Sequence, residues 1–307
     1  MATSSLGTVI NSEKLLDAAR SLPALPVSTT RLAALVSDPN VDVLDIVETI
    51  TLDQSLTAAV LRQANSAASG NRMRIGTVRD AVVRLGMNTV LSIALSGHLS
   101  KRMNTAIPEY GLAAGELWKH SVISSIAVDL VRGRSPIRVP AESATAALMH
   151  DIGKLVLCRY MSPNVLELIK QAGEQEGDAD FEAELKVLEV HHGEVGALVA
   201  EHWRLPESIV NAVRNHHTPA VNPEPICYAV ALGDMIAEYL SDGGAELLTN
   251  GGVRTPIPDD LGLQPRALER LLGAIVELRL SRDACNELIY STAARFEDVR
   301  QRYLIED

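Results

Sequence analysis

Ligand-type residues recur in this chain where apolar helices would normally exclude them. In "LMHDIGKLVL", residues 148–157, His150 stands beside Asp151, and Lys154 follows one turn later. An apolar run keeps ionisable groups only when they are paired or bound. Adjacent helical residues point roughly 100° apart, so a His–Asp doublet rarely holds one ion as two simple terminal ligands. The two oxygens of an aspartate can instead bridge neighbouring metals while the histidine binds one of them. In "GELWKHSVISS", Glu116 and His120 lie four apart and lead an apolar face continued by Ile123 and Ala127. That is the spacing of inward-facing ligands in helical di-metal sites. "EVHHGEVGALVAEHWRLP" offers His191 or His192, and a small change in helix start exchanges their faces. His202, on the stripe of Val195, Leu198 and Val199, reads as a core histidine. "NAVRNHHTP" puts His216 and His217 at a helix end. Asp234 stands inside "AVALGDMIAEYL", where a lone carboxylate needs a metal or an arginine.

The resulting set is Glu116, His120, His150, Asp151, His192, His216, His217 and Asp234. Imidazole plus carboxylate without thiolate suits one or two ions of Mn, Fe, Co, Ni or Zn, and not a structural zinc.

The elements that must position these residues are helices. Val43, Ile46, Val47 and Ile50 follow the 3.6-residue period, as do Val78, Ala81, Val82 and Leu85. Ile123, Ile126, Ala127 and Leu130 repeat it, and Leu268, Leu271, Leu272 and Ile275 repeat it again. No alternating strand pattern stands out, and Pro- and Gly-containing breaks separate segments of helix length. The expected fold is all-α, a multi-helix bundle with an N-terminal helical lobe. Residues 12–105 form that lobe, and 106–243 form a second lobe holding most of the histidines. Residues 244–307 form a loop and C-terminal helices, near 264–280 and 282–301, that pack back on the core.

Composition narrows the function classes. Hydrophobic residues make up 47% of the 307 and aromatics 3%, a mixture that favours helices. The formal net charge of −11 opposes nucleic acid and anionic membranes as partners. Arg72, Arg74, Arg79 and Arg84, and likewise Arg132, Arg134 and Arg138, read as solvated helix faces. Cys158, Cys227 and Cys285 lie too far apart for a zinc knuckle or disulfide framework. With no signal-peptide pattern at the start, they predict a reducing cytoplasm. The apolar stretch from Leu85 to Ser100 reads as a buried helix, too short and polar for a membrane span.

Several of these strings resemble a known superfamily. "HSVISSIAVDLV", "AALMHDIGKLVL", "HHGEVGALVAEHWRLPESIVNAVRNHH" and "AVALGDMIAEYL" resemble the successive motifs of the HD metal-dependent phosphohydrolases. "LPALPVSTTRLAALVSDPNVDVLDIVETITLDQSLTAAVLRQANSA", followed by "IGTVRDAVVRLGMNTV", is similar to the HDOD domain, a bacterial signalling relative. The resemblance runs over about residues 20–240 and implies an all-α HD-like bundle. It matches His120 to the first motif histidine and His150–Asp151 to the HD doublet. His192 fits the His-x3-Gly element through Gly196, His216–His217 the paired histidines, and Asp234 the distal aspartate. Glu116 and Lys154 match the additional Glu and Lys of HD-GYP phosphodiesterases. The Gly-Tyr-Pro signature itself is absent: the chain reads "HHTPAVNPEP".

Two functions follow as expectations. The favoured one is a regulatory signal-transduction module with a retained metal site. It would act through a signalling protein partner or a small phosphate-containing ligand, with homodimer formation open. The alternative is a metal-dependent phosphohydrolase, a phosphodiesterase or nucleotidase. There Asp151 is a metal-bridging catalytic ligand, and Lys154 neutralises charge on the phosphoryl oxygens.

Overall fold

The computed structural model describes residues 12–38, 40–66, 74–176, 179–241, 257–258, 261 and 265–303. Arg72 and most of the Gly- and Pro-rich stretch 241–260 lie outside the described residues. Those described form helices and turns with no strand, so the all-α expectation holds.

The chain opens with α1 (Ser12–Ser21), α2 (Val27–Val36), α3 (Val43–Thr51), α4 (Gln54–Ala64), α5 (Val78–Leu85) and α6 (Met87–Met103). Local chemistry starts three of them. Asp42 accepts the Leu44 N–H at α3, Asp53 the Leu56 N–H at α4, and Thr77 the Asp80 N–H at α5. Each satisfies a donor that the first turn leaves without a helical partner. The apolar stretch expected to run from Leu85 as one helix is broken at Gly86, whose φ is 79°. α5 and α6 meet there at 105°, and no single described helix is long and apolar enough to cross a membrane.

The site-bearing helices follow: α7 (Glu116–Arg134), α8 (Ser143–Met149), α9 (Lys154–Leu157), α10 (Pro163–Glu176), α11 (Ala179–Leu188), α12 (His192–His202), α13 (Glu207–Asn215) and α14 (Pro225–Tyr239). α15 (Pro265–Glu277) packs on α14, and α16 (Arg282–Tyr303) packs on α7. α14 is apolar around nearly its whole circumference and almost wholly buried, as a helix at the centre of a core must be. Its main neighbour is α7. Gly233 sets how near the two come, because a Cβ there would stand 2.5 Å from Val128 Cγ2 and 3.0 Å from Ser124 O. The next residue is Asp234, so this close approach delivers its carboxylate to the α7 histidine.

The first helices also seat on the second half of the chain. α6 packs on α7 and α8, and α1 packs on α12. Tyr160 donates to the Lys14 carbonyl at 2.9 Å.

Overpacking at the α7–α14 contact costs about 1–3 kcal/mol, so Gly233→Ala is expected to lower the melting temperature despite alanine's better helix propensity. Gly97→Ala in α6, where an added Cβ meets nothing within 4 Å, serves as the control and should raise it. Equal shifts in the two variants by thermal denaturation would contradict this account of the contact.

Candidate metal centre

His150 and Asp151 do not sit within a helix, as their apolar surroundings led one to expect. α8 ends at Met149, α9 begins at Lys154, and the doublet occupies the turn between. The turn releases the two side chains from the helical angle, so both reach one centre. Gly153 completes it: a Cβ there would run into the His192 carbonyl. Only glycine lets this turn lie against the start of α12.

Asp151 is the junction. Its Oδ1 lies 3.2 Å from His192 Nε2. Its Oδ2 lies 3.0 Å from Lys154 Nζ, 3.5 Å from His150 Nε2 and 3.8 Å from His120 Nε2. On the Oδ2 side, Asp234 Oδ1 stands 3.0 Å from His120 Nε2 and 3.3 Å from His150 Nε2. On the Oδ1 side, His192 Nε2 stands 3.3 Å from His216 Nε2 and 2.8 Å from His217 Nε2. Three such groups place their ligand atoms within 4.8 Å of one another: His120–His150–Asp151, His150–His216–Asp234 and His192–His216–His217. His150, His192 and His216 are fully buried.

Each of those three buried rings uses its other nitrogen on a fixed acceptor. Nδ1 of His150 donates to the Ala147 carbonyl at 2.7 Å, and Nδ1 of His216 to the Val213 carbonyl at 2.7 Å. Nδ1 of His192 donates to Glu184 Oε2 at 2.8 Å. In the neutral tautomers these bonds select, three Nε2 lone pairs face the same small volume. His217, stacked on Phe181, has a buried Nδ1 with no partner among the described residues. Converging lone pairs beside two carboxylates fit a divalent cation.

The candidates divide plainly. His120, His150, Asp151, His192, His216, His217 and Asp234 come together, with Lys154 on Asp151. Glu116 does not, and that expectation is corrected. It is the exposed first residue of α7, and its carboxylate turns back to accept the Ala113 N–H at 2.6 Å. His192 takes the inward place, while His191 caps α12 by accepting the Gly193 N–H at 3.1 Å. His202 is exposed, not in the core, because Trp203 fills the buried position at the end of α12.

Glu184 escaped the sequence reading. It is fully buried in α11, accepts both Nδ1–H and the backbone N–H of His192, and receives the Tyr110 hydroxyl at 2.5 Å. Its one signal was a second carboxylate, two residues after Glu182, in the apolar-rich "FEAELKVL", eight residues before His192.

Charges set the protonation of the metal-free centre. Burial opposes the charge on His192, but Glu184 and Asp151 outweigh it and push the imidazole up to about 10. His150 is raised in the same way, burial being overcome by Asp151 and Asp234. Burial and neighbouring imidazoliums hold His216 and His217 well below the ordinary imidazole value. Burial and His192 take His191 down to about 3. Burial would raise the Asp151 carboxyl, yet Lys154, His150 and His192 keep it well below the carboxylate range. His120 and His150 do the same for Asp234.

Comparison with known proteins gives a consistent picture. A profile of the HDOD domain matches residues 22–219. An uncharacterized protein of Treponema pallidum (strain Nichols) is 25% identical over 223 residues, 71% of this chain and 42% of the relative. The chain therefore spans about two fifths of that relative's length. A solved structure from Shewanella amazonensis SB2B, provisionally named a phosphohydrolase, has a TM-score of 0.64 at 23% identity, over 94% of this chain and 98% of that one. Another, from Marinobacter aquaeolei VT8 and provisionally named a signal transduction protein, has a TM-score of 0.65 at 20% identity, over 95% and 65%. At these identities the structural likeness is one of fold.

The metal-free protein should be most stable near neutrality. Unfolding lets His191, His216 and His217 take up protons that the fold refuses, so stability falls as pH drops below about 6.5. The depressed carboxyls of Asp151 and Asp234 extend this loss below about pH 4. His150 and His192 act oppositely: their contribution is complete below about pH 6.5 and fades as pH rises. For His192 the loss runs up to about 10. Denaturant titrations of chelator-treated protein across this range check the profile. His217→Gln should flatten its acid side, and a curve level between about pH 5 and 7 would contradict the assignment.

Proposed function

The chain belongs to the HDOD family, and from that premise we propose that it is a signal-transduction module built around a divalent-metal centre. The observation that carries this reading is the convergence of seven imidazole and carboxylate side chains, Asp151 at their junction, on one small buried volume. His120, His150, Asp234 and Asp151 Oδ2 would hold one ion; Asp151 Oδ1, His192, His216 and His217 would hold a second. A divalent transition ion bound there supplies Lewis acidity. Mn, Fe, Co, Ni and Zn all suit this donor set. Glu184 keeps the His192 Nδ1 protonated and so points its Nε2 lone pair at the ion.

Restricted access favours regulation over turnover. The side chains of His150, His192 and His216 are sealed from solvent, while His120, at 18% exposure, Lys154, at 13%, Asp234, at 10%, and the partly buried His217 open outward. The module then acts on a signalling protein or a phosphate-containing ligand. Its three unpaired cysteines suit a cytoplasmic setting.

Lys154 supports a second reading, a phosphohydrolase. Its ammonium sits on Asp151 Oδ2 at the partly open rim, where it can meet a phosphoryl oxygen.

Protein purified without chelator is expected to carry near-stoichiometric transition metal by elemental analysis, and Asp151→Ala to lose it. Absence of metal after loading with each candidate ion would overturn both readings. Metal at one hundred times its Kd adds about 2.7 kcal/mol to stability, which a thermal shift detects. Turnover of cyclic dinucleotides or nucleotides, abolished in Asp151→Ala and weakened in Lys154→Met, would select the hydrolase.

Removing the carboxylate that orients a ligating histidine typically costs about 10–100-fold in metal affinity. Glu184→Ala should show that loss in metal titrations, and unchanged affinity would remove Glu184 from the centre.

A further inference from the structure

A cavity of about 740 Å³ lies away from the metal centre, between α4, α5 and α6 on one side and α7, α8 and α16 on the other. Its volume is that of a small-molecule site. The charge of its wall runs against that of the whole chain. Among its described lining residues are four arginines, Arg62, Arg84, Arg132 and Arg295, and one acidic residue, Asp129. Asp129 is shared: Oδ1 meets Arg132 at 3.3 Å and Oδ2 meets Arg295 at 2.9 Å. One carboxylate therefore offsets two guanidiniums, while Arg62 and Arg84 have no ion pair among the described residues. In a chain of net charge −11, this is a local cationic wall.

Three further features point to what would sit there. The Nε of Arg132 is buried with no acceptor among the described residues. α6 follows Gly86 with no side-chain cap and no acidic residue in its first turn, and Asn88 and Thr89 of that turn line the cavity. An uncapped helix start favours an anion. The Asn88 side-chain oxygen is likewise buried without a donor. Beside it, Ser92, Ser96 and Ser100 carry hydroxyls along the cavity face of α6 at successive turns. The first two features ask for an oxyanion, and the third asks for a hydroxyl-bearing body.

We propose that the cavity between these two groups of helices binds a hydroxyl-bearing organic phosphate of about nucleotide size. Its phosphate is held by the arginine wall and the start of α6, and its hydroxyls lie along the serine face. Its lining residues are distinct from those of the metal centre, and binding does not require that centre to be occupied.

The test uses the full chain with EDTA present, so that no phosphate can be recruited through a metal. Calorimetric titration with ADP, ribose 5-phosphate and inorganic phosphate compares organic with bare anion. At least one organic phosphate should bind one to one and more tightly than inorganic phosphate. Losing charge-assisted hydrogen bonds from an arginine should weaken binding by about tenfold or more, so the Arg62→Gln/Arg84→Gln double variant is the primary probe. Both residues are exposed and outside the described ion pairs, so its melting temperature should match the parent. Arg132→Lys, which keeps the charge but lacks the orphaned Nε–H, should also bind more weakly. Asp151→Ala should bind as the parent does. The proposal is overturned if neither organic phosphate binds at millimolar concentration, if inorganic phosphate binds equally well, if the double variant binds like the parent, or if Asp151→Ala abolishes binding.

Discussion

A carboxylate buried to 3% exposure must be met by positive charge or hydrogen-bond donors, and Asp151 dictates where much of this chain goes. Its two oxygens face different partners. Lys154, His120 and His150 gather on one, and His192 on the other, with His216 and His217 behind. These residues come from α7, α9, α12, the α8–α9 turn and the end of α13. The helices are therefore held in register by charge as well as by apolar packing. Leaving one member unpaired would strand charge in the interior, which is costlier than losing an equal area of apolar contact.

Backbone proximity makes that arrangement geometrically possible. Gly153 lets the turn bearing His150 and Asp151 touch the α12 backbone, and Gly233 lets α14 lie close on α7. In both places the glycine directly adjoins, or lies within two residues of, a ligand-type side chain. Removing a Cβ is how the fold brings polar groups from separate helices within about 3 Å without opening space for water.

Much of this was legible in the sequence, because an ionisable residue inside an apolar period is an anomaly that local reasoning detects. His150, Asp151 and Asp234 showed it, while His216 and His217 stood out only as a histidine pair at a helix end. Helical period misled where an element ends. Glu116 has the right spacing to His120, but it is the first residue of α7, where a carboxylate finds a free backbone N–H nearer than the core. His202 has the right spacing to Val195, but the last turn of α12 buries Trp203 instead. Glu184 and Tyr110 stayed hidden because their bond joins residues 74 apart, and nothing local to either marks the other. The arginine-lined cavity was invisible for the same reason. Read singly, Arg84 and Arg132 are ordinary surface residues, and only packing sets them on one wall.

α7 belongs to both sites: His120 on its first turns reaches the metal centre, while Asp129 and Arg132, farther along, line the cavity. α8 is similarly shared, with Ala144 and Thr145 on the cavity and its end running into His150. A helix held by backbone hydrogen bonds transmits an axial shift with little loss over these few turns. If an occupant of the cavity displaced α7, it would alter the affinity of the centre for a cation, and thermodynamic reciprocity would require the cation to alter the occupant's affinity by the same factor. Such a protein would report a metal ion and an organic phosphate as a single joint quantity.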